Sequence, residues 1–510
     1  MTGKRQLLKN LNWNWAGIFG DTLVSFLLCP YLLSHLGADH YGAWIMLGSL
    51  TGYFGLLDLG IRGSVGRYVA FYRAKNDPVA ASEIVATAML LLTIAGLVGA
   101  VGVSCAGLWA DRFMGDEFPA AEFPSLRFAI VLSALTLALQ LPLNVADGVL
   151  WGCQRFDRLN AVRIPSDLAR GALSAAVVTF DGGLVALSAV ALGLTVFGGV
   201  TKFILARKAA PEIAWRPRGI ARQRMREVCS FGIWSSLRSI TTMIPSRVTP
   251  LLVGAILGVA VVTPMSIAAR LIAASSAILV AATGVVTPIA TALHAADDRS
   301  KERQLLVDGG KYSLAAASIF LALFTLLGRP LIHLWVGPEM DLSYMLLVVF
   351  SIGRWVSMSQ VVTRGIITAQ AKHRALALSS IVQAVVTLAL GMALIYPYGA
   401  FGMALAIAIG DGVCEGLFSL VYGCRVVEMP VTSYLRSVVS ATFRAMAVPC
   451  ALLAAVTVWR PVQNWLDLIA YGAAFAIMSV IAVVWVNEGS LGLLLSKFKR
   501  TGSEKRPCVT

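Results

Sequence analysis

The chain has 510 residues, of which 57% are hydrophobic and only 14% charged, with a mean hydropathy of +0.76. Soluble proteins carry roughly 25% charged residues, so a string of soluble domains is excluded and a polytopic membrane protein is expected. The net charge of +15 would suggest nucleic acid in a soluble protein. Here no basic stretch is interleaved with the aromatics of a strand-binding groove, and the surplus reads as loops held in the cytoplasm.

The N-terminal MTGKRQLLKN has the basic start of a signal peptide, but the apolar run after it is too long and lacks an A-x-A site. An uncleaved first helix is expected. Apolar runs then predict about fourteen transmembrane helices, at 11–35, 41–61, 81–110, 125–149, 161–180, 184–206, 228–256, 262–291, 306–329, 343–368, 375–396, 400–423, 441–459 and 465–486. Lys and Arg fall in alternate loops, among them Arg62 to Lys75, Arg155 with Arg158, Arg207 to Arg226, and the tail from Lys497. The opposite loops are acidic, with Asp111, Asp116, Glu117 and Glu339. The bias predicts an even number of spans with both termini inside.

The first span carries Asn14, Asp21 and Ser25 on one face. In the second, Thr51, Asp58 and Arg62 follow at i, i+7 and i+11, which predicts one shared helix face. A charge inside a membrane helix costs roughly 2.5–3.5 kcal/mol on insertion scales, so it faces a partner or a watery cavity. Asp58 with Arg62 also fits an interfacial ion pair ending the helix. The fourth span holds Gln140, Asn144 and Asp147 at i, i+4 and i+7. Asp167 with Arg170, and Asp308 with Lys311, read as local ion pairs.

The longest basic loop divides twelve helices into two lobes of six, at 1–206 and 228–427, joined by a linker at 207–227. Two further helices and a basic tail fill 428–510. A faint echo supports the division: Pro30-Tyr-Leu-Leu leads to Leu36-Gly37, and Pro250-Leu-Leu leads to Leu257-Gly258. Two repeated lobes around a central cavity are a common transporter plan.

The seventh span carries Ser235, Arg238, Thr242, Ser246 and Thr249 as one polar stripe, and the eighth carries Thr263, Ser266 and Arg270. Arg354 lies midway along the tenth. Arginines keep their charge and grip phosphate bidentately, so Arg238, Arg270 and Arg354, with Thr242 and Ser266, form a candidate anion site. Each arginine also fits a structural role beside a carboxylate. Asp411 and Glu415, i and i+4 in the twelfth span, need a cation or a shared proton. With Asp21, Asp58 and Asp147 they are the candidate ion-coupling residues, for H⁺ or Na⁺. Trp13, Trp15, Trp335 and Trp465 read as interfacial anchors. None of the eight cysteines forms a CxxC, no HExxH occurs, and His294 with Asp298 is too short a pattern to mark a metal. No GxxxxGK[ST] loop appears, so no nucleotide or other cofactor is expected.

LGADHYGAW (36–44), the closing LLDLGI (56–61) and the basic residues Arg62, Arg67 and Arg73 resemble the second helix of the polysaccharide transporters. PLNVADGVLWGCQRFDRLN (142–160) and PLIHLWVG (330–337) are similar to further stretches of that family. These are the Wzx-type flippases of the multidrug/oligosaccharidyl-lipid/polysaccharide superfamily. The resemblance implies an all-α inner-membrane flippase rather than an enzyme. Its substrate would be an undecaprenyl-pyrophosphate-linked oligosaccharide, with a polysaccharide polymerase and glycosyltransferases as partners. A cation-coupled multidrug exporter of the same superfamily stays open. A membrane polysaccharide polymerase is disfavoured, because the largest outer loop, about Asp111 to Pro124, holds no nucleophile–base set.

Overall fold

The computed structural model describes residues 2–58, 60–109, 120–215, 224–228, 248–283, 286–370 and 372–487. Among them the regular structure is entirely helical. Nine helical stretches of the described residues are long and apolar enough to cross a membrane.

Helix α1 (Thr2–Phe54) comprises 53 residues in two segments. It breaks at Gly37 (φ 76°), between the first two predicted spans. A 3₁₀ turn (Gly55–Asp58) and the left-handed Gly60 follow before α2 (Ile61–Ala74). This corrects the face argument: Thr51, Asp58 and Arg62 do not share one continuous helix. The backbone restarts between Asp58 and Arg62, so their approach comes from the turn rather than from helical period.

Next come α3 (Pro78–Leu108), α4 (Phe123–Gly152), α5 (Phe156–Thr179), α6 (Gly183–Ala209) and the short α7 (Val248–Leu257). Most of the predicted seventh span lies outside the described residues. Asp77, beside Pro78 at the first position, caps α3 by accepting from Ala80 N at 2.9 Å. After α8 (Val259–Thr283) and α9 (Val286–Ala295), Asp298 caps α10 (Arg299–Leu326) in the same manner. Helices α11 (Gly328–Val336), α12 (Asp341–Ser359), α13 (Val361–Ala369) and α14 (His373–Ile409) follow. α14 breaks at Gly399, again between two predicted spans, and runs into a π-helix (Gly410–Leu417) and α15 (Phe418–Val426). α16 (Val431–Trp459) and α17 (Trp465–Val486) end the described chain.

The backbone carries the internal echo further than the residues do. Gly37 and Gly258 both take positive φ, as do Asn76 and Asp297 just before the two capping aspartates. All three pairs, Asp77 with Asp298 included, lie 221 positions apart. The turns after the two glycines also meet reciprocally. Thr263 Oγ1 donates to Ala38 O at 2.7 Å, and a Cβ on Gly42 would lie 2.1 Å from Val259 O. In the 221-residue register, 38 answers to 259 and 42 to 263, the self-complementary pattern of a two-fold contact.

Contacts divide the chain into two units. One holds Met1–Ile267 with Leu388–Met403, the other Ala268–Thr387 with Ala404–Thr510. In the first, α4 packs against α3, α6 and α2, while α5 packs against α1 and α6. In the second, α10 is the hub. Leu305, Leu306, Val362, Ile366, Tyr434 and Val438 form one core, and Ala315, Met446, Leu453, Leu468 and Phe475 form another, which seats α16 and α17. Trp335, expected at the interface, is 5% exposed and packs inward instead.

Candidate functional site

In the first unit a cavity of about 690 Å³ opens between the start of α2 and helices α4, α5 and α6. Helical period explains its polarity. α4 contributes Gln140, Asn144 and Asp147, and α5 contributes Arg163, Ser166, Asp167 and Arg170 at i, i+3, i+4 and i+7. α6 adds Thr195 and Lys202, and the broken end of α1 adds Asp58. Four cations (Arg62, Arg163, Arg170, Lys202) therefore face three carboxylates (Asp58, Asp147, Asp167).

The charges form two similar groups. Asp147 takes Lys202 Nζ at 2.8 Å and Arg62 Nη1 at 3.9 Å. Asp167 lies between Arg163 at 3.6 Å and Arg170 at 3.7 Å. Both carboxylates are 16% exposed, whereas Arg62, Arg163 and Arg170 are 50–57% exposed. Asp58 is partly buried, and its Oδ1 takes no hydrogen bond from the described residues.

Backbone contacts fix this geometry. A Cβ on Gly148 would lie 2.8 Å from Arg62 O, so only glycine lets α2 close on α4 and set Arg62 beside Asp147. Ser64 Oγ donates to Val228 O at 3.0 Å, pinning α2 to the residue that follows the linker. Arg224 of the linker pairs with Glu83 and Glu227 and bonds the Tyr72 hydroxyl. Burial works against the Arg224 charge, but its bonds to Glu83 and Glu227 outweigh that and hold its pKa above the ordinary arginine value. Burial, and then the bond to Glu227, push the Tyr72 hydroxyl up. Arg158 Nη1 donates to Leu205 O at 3.0 Å, locking the start of α5 to the end of α6.

The second unit holds a separate buried network. Arg354 Nη2 lies 2.9 Å from Asp411 and Nη1 3.8 Å from Glu415. Arg364 pairs with Glu415 at 3.5 Å, Ser357 donates to Glu415 at 2.6 Å, and Gln383 donates to Asp411. The cation that Asp411 and Glu415 require is thus supplied twice by the protein. Arg354 is engaged by carboxylates, the structural role left open by the sequence. The π-helix, a form frequent at functional sites, carries both acids.

Arg238 and Thr242 lie outside the described residues, as does the side chain of Asp21. Ser266 donates to Thr263 O at 2.8 Å in its own helix, and Arg270 is half-buried one turn on. Of the candidate ion-coupling residues, Asp58 and Asp147 line the cavity together, and Asp411 and Glu415 share the second network. Sequence reasoning missed Arg62, Arg163, Arg170 and Lys202 as one constellation. The signal was the 163/166/167/170 stripe, read there as a local pair.

An all-α polytopic membrane fold with a charged cavity in one half defines the class: a membrane protein with the fold of flippases and multidrug transporters. The chain matches the polysaccharide biosynthesis protein family over residues 7–294 and belongs to it. It is 20% identical to the uncharacterized membrane protein EpsK of Bacillus subtilis, over 96% of this chain and 98% of that one. Its fold is similar to the lipid II flippase MurJ in the inward closed conformation, with a TM-score of 0.70, 11% identity, and 96% and 100% of the two chains covered. It is also similar to an inward-facing multidrug resistance MATE family transporter, with a TM-score of 0.63, 15% identity, and 80% and 94% covered.

Proposed function

We propose that the protein is a flippase for an undecaprenyl-pyrophosphate-linked oligosaccharide, the repeat unit of an O-antigen, capsule or exopolysaccharide. It sits in the bacterial inner membrane with both termini cytoplasmic. The observation that carries this reading is the cavity of about 690 Å³, in which four cations face three carboxylates among the described residues. A diphosphate is bound by paired cations in a low-dielectric, partly dry site. Arg62 and Lys202 both lie beside Asp147, and they take the diphosphate. The amides and hydroxyls of Gln140, Asn144, Ser166 and Thr195 hydrogen-bond the sugars. The isoprenoid tail stays in lipid while the two repeats rock to expose the headgroup on the far side. Arg238, Thr242, Ser266 and Arg270 are further candidate contacts for an anionic headgroup. Asp21, Asp58 and Asp147, with Asp411 and Glu415, couple the movement to H⁺ or Na⁺. Glycosyltransferases supply the substrate, and a polymerase consumes it.

The test is made in cells lacking the chromosomal copy. Loss should cause lipid-linked sugars to accumulate, and wild-type protein should clear them. Arg62→Gln with Lys202→Gln, Arg238→Ala, and Arg270→Ala should each leave the protein inserted but fail to clear them. Normal clearance by all three variants sinks the anion-site reading. A second reading, a cation-coupled drug exporter, is favoured by Asp58, which lines the cavity and whose Oδ1 takes no hydrogen bond from the described residues. It predicts drug sensitivity without accumulation of lipid-linked sugars.

A further inference from the structure

Away from the cavity, the second unit buries a carboxylate beside a histidine. Glu302, in the first turn of α10, has a side chain only 1% exposed. His294, in the last turn of α9, is 40% exposed, and its Nδ1 stands 3.1 Å from Glu302 Oε1. Gln370, the buried residue that closes α13, donates to Glu302 Oε2 at 3.2 Å. The histidine that sequence spacing set beside Asp298 thus meets Glu302 instead, and Asp298 caps α10.

A buried carboxylate needs a cation or a proton. The other charged groups nearby have partners of their own or are exposed. Asp298 takes Lys301, Arg299 pairs with Asp297 at 3.5 Å, and Arg303 pairs with Glu428 at 3.7 Å and donates to Val427 O at 3.0 Å. On α13, Arg364 pairs with Glu415. Lys372, Arg374 and Arg425 are exposed, and the side chain of His373 lies outside the described residues. α9 carries no other charged group. Among the described residues, His294 alone forms an ion pair with Glu302. Both helix dipoles favour the charged pair, with the anion at an N-terminus and the cation at a C-terminus.

The repeat shows what is unusual here. In the 221-residue register His294 answers to Arg73, and Glu302 answers to the buried Ala81. Arg73 pairs with Glu212 at 2.7 Å. The first half therefore holds this place with a cation that keeps its charge. The second half holds it with the side chain type that changes charge between about pH 5 and 8.

We propose that His294 and Glu302 form a pH-sensitive latch, which holds the end of α9 against α10 and α13 while the imidazole is protonated and releases it as pH rises. A neutral imidazole still offers a hydrogen bond, but it leaves the Glu302 charge in the interior without a counter-charge. On the orientation proposed above, the latch reads the pH of the cytoplasm. It does not depend on what the cavity carries.

The experiment follows amide hydrogen exchange of full-length protein in nanodiscs of neutral lipid, at about pH 6 and about pH 8. Rates are corrected for intrinsic chemistry and referred to those of α16. Wild-type α9 should exchange roughly tenfold faster at the higher pH. His294→Gln keeps a donor without a charge and should exchange fast at both. His294→Arg supplies the permanent cation found at Arg73 and should exchange slowly at both, a gain of protection that misfolding does not produce. Glu302→Gln removes the buried charge and should abolish the pH response. Equal corrected wild-type rates at the two pH values overturn the latch, as does an undiminished response in His294→Gln or Glu302→Gln.

Discussion

Replacing Lys202 with Met keeps the apolar stem and deletes the ammonium. Asp147 then loses its partner at 2.8 Å and retains only Arg62 at 3.9 Å. At an effective dielectric near 20, those separations correspond to attractions of about 6 and about 4 kcal/mol. Most of that offsets the desolvation of both ions, several kcal/mol each in a protein interior. Lys202 and Asp147 remain 22% and 16% exposed, so some hydration survives. The net cost of Lys202→Met should be about 2–3 kcal/mol, between a charged hydrogen bond and a fully buried pair. Asp147→Asn should cost about as much, because it leaves Lys202 and Arg62 facing each other uncompensated. The double variant removes both charges and should cost about 1–2 kcal/mol less than the sum of the singles. The assay is unfolding of full-length protein in mixed micelles at 25 °C, titrated with sodium dodecyl sulfate and followed by tryptophan fluorescence. Single costs that add within roughly 0.5 kcal/mol would refute a direct interaction between Lys202 and Asp147, and with it the charge group around Asp147.

Three further outcomes follow from local geometry. Gly42→Val should destabilise by about 1–3 kcal/mol through overpacking, because its Cβ would overlap Val259 O. Gly48→Val faces open space and should move the same unfolding midpoint little; equal shifts in the two would remove the reciprocal contact. Arg354→Met leaves Asp411, 3% exposed, with Glu415 close by, so it should cost about 3–5 kcal/mol. Arg354→Met with Asp411→Leu should recover accumulation in membranes, and failure to do so would count against the pair. At the start of α5, the fork from Arg155 holds the Asp157 carboxyl below the usual range. A depressed folded value means that this stability is present above the unfolded pKa of about 3.9 and is lost as pH falls through the folded one. Arg155→Met should therefore lower stability by roughly 0.5–1 kcal/mol at neutral pH and leave it unchanged at the most acidic end of a titration.

The apolar runs made the helices legible. Even the breaks at Gly37 and Gly399 fall in the gaps between predicted spans, because a left-handed glycine interrupts a helix without interrupting hydrophobicity. The same cue failed at 55–60, where LLDLGI reads as a continuous apolar run but folds as a 3₁₀ turn and a fresh helix. The face argument for Thr51, Asp58 and Arg62 assumed a period that the backbone does not keep there. Lys202 was missed because one lysine near the end of an apolar run looks like an interfacial residue. Its role appears only when α4 brings Asp147 to it across 55 residues of chain. Arg354 was recognised as an intramembrane charge, but its partners lie on the π-helix, beyond the reach of spacing within one span.

The 221-residue register separates what the fold requires from what the site requires. By count alone Asp58 and Arg62 answer to Leu279 and Thr283 in the second half, but the break at Gly55–Gly60 has no match there, because α8 runs on through Thr283. Leu279 is 4% exposed, and Thr283 bonds back to its own helix at 2.9 Å. The reverse holds for Arg270, whose counterpart Ser49 is buried and bonds to Ile45 O. A helix of this plan therefore folds without an ionised group at the place of Arg270. That charge carries an insertion cost of roughly 2.5–3.5 kcal/mol that Ser49 avoids. At the break in the first half, Asp58 Oδ1 takes no hydrogen bond from the described residues. Among the described residues, four cations face three carboxylates across the cavity that Asp58 lines.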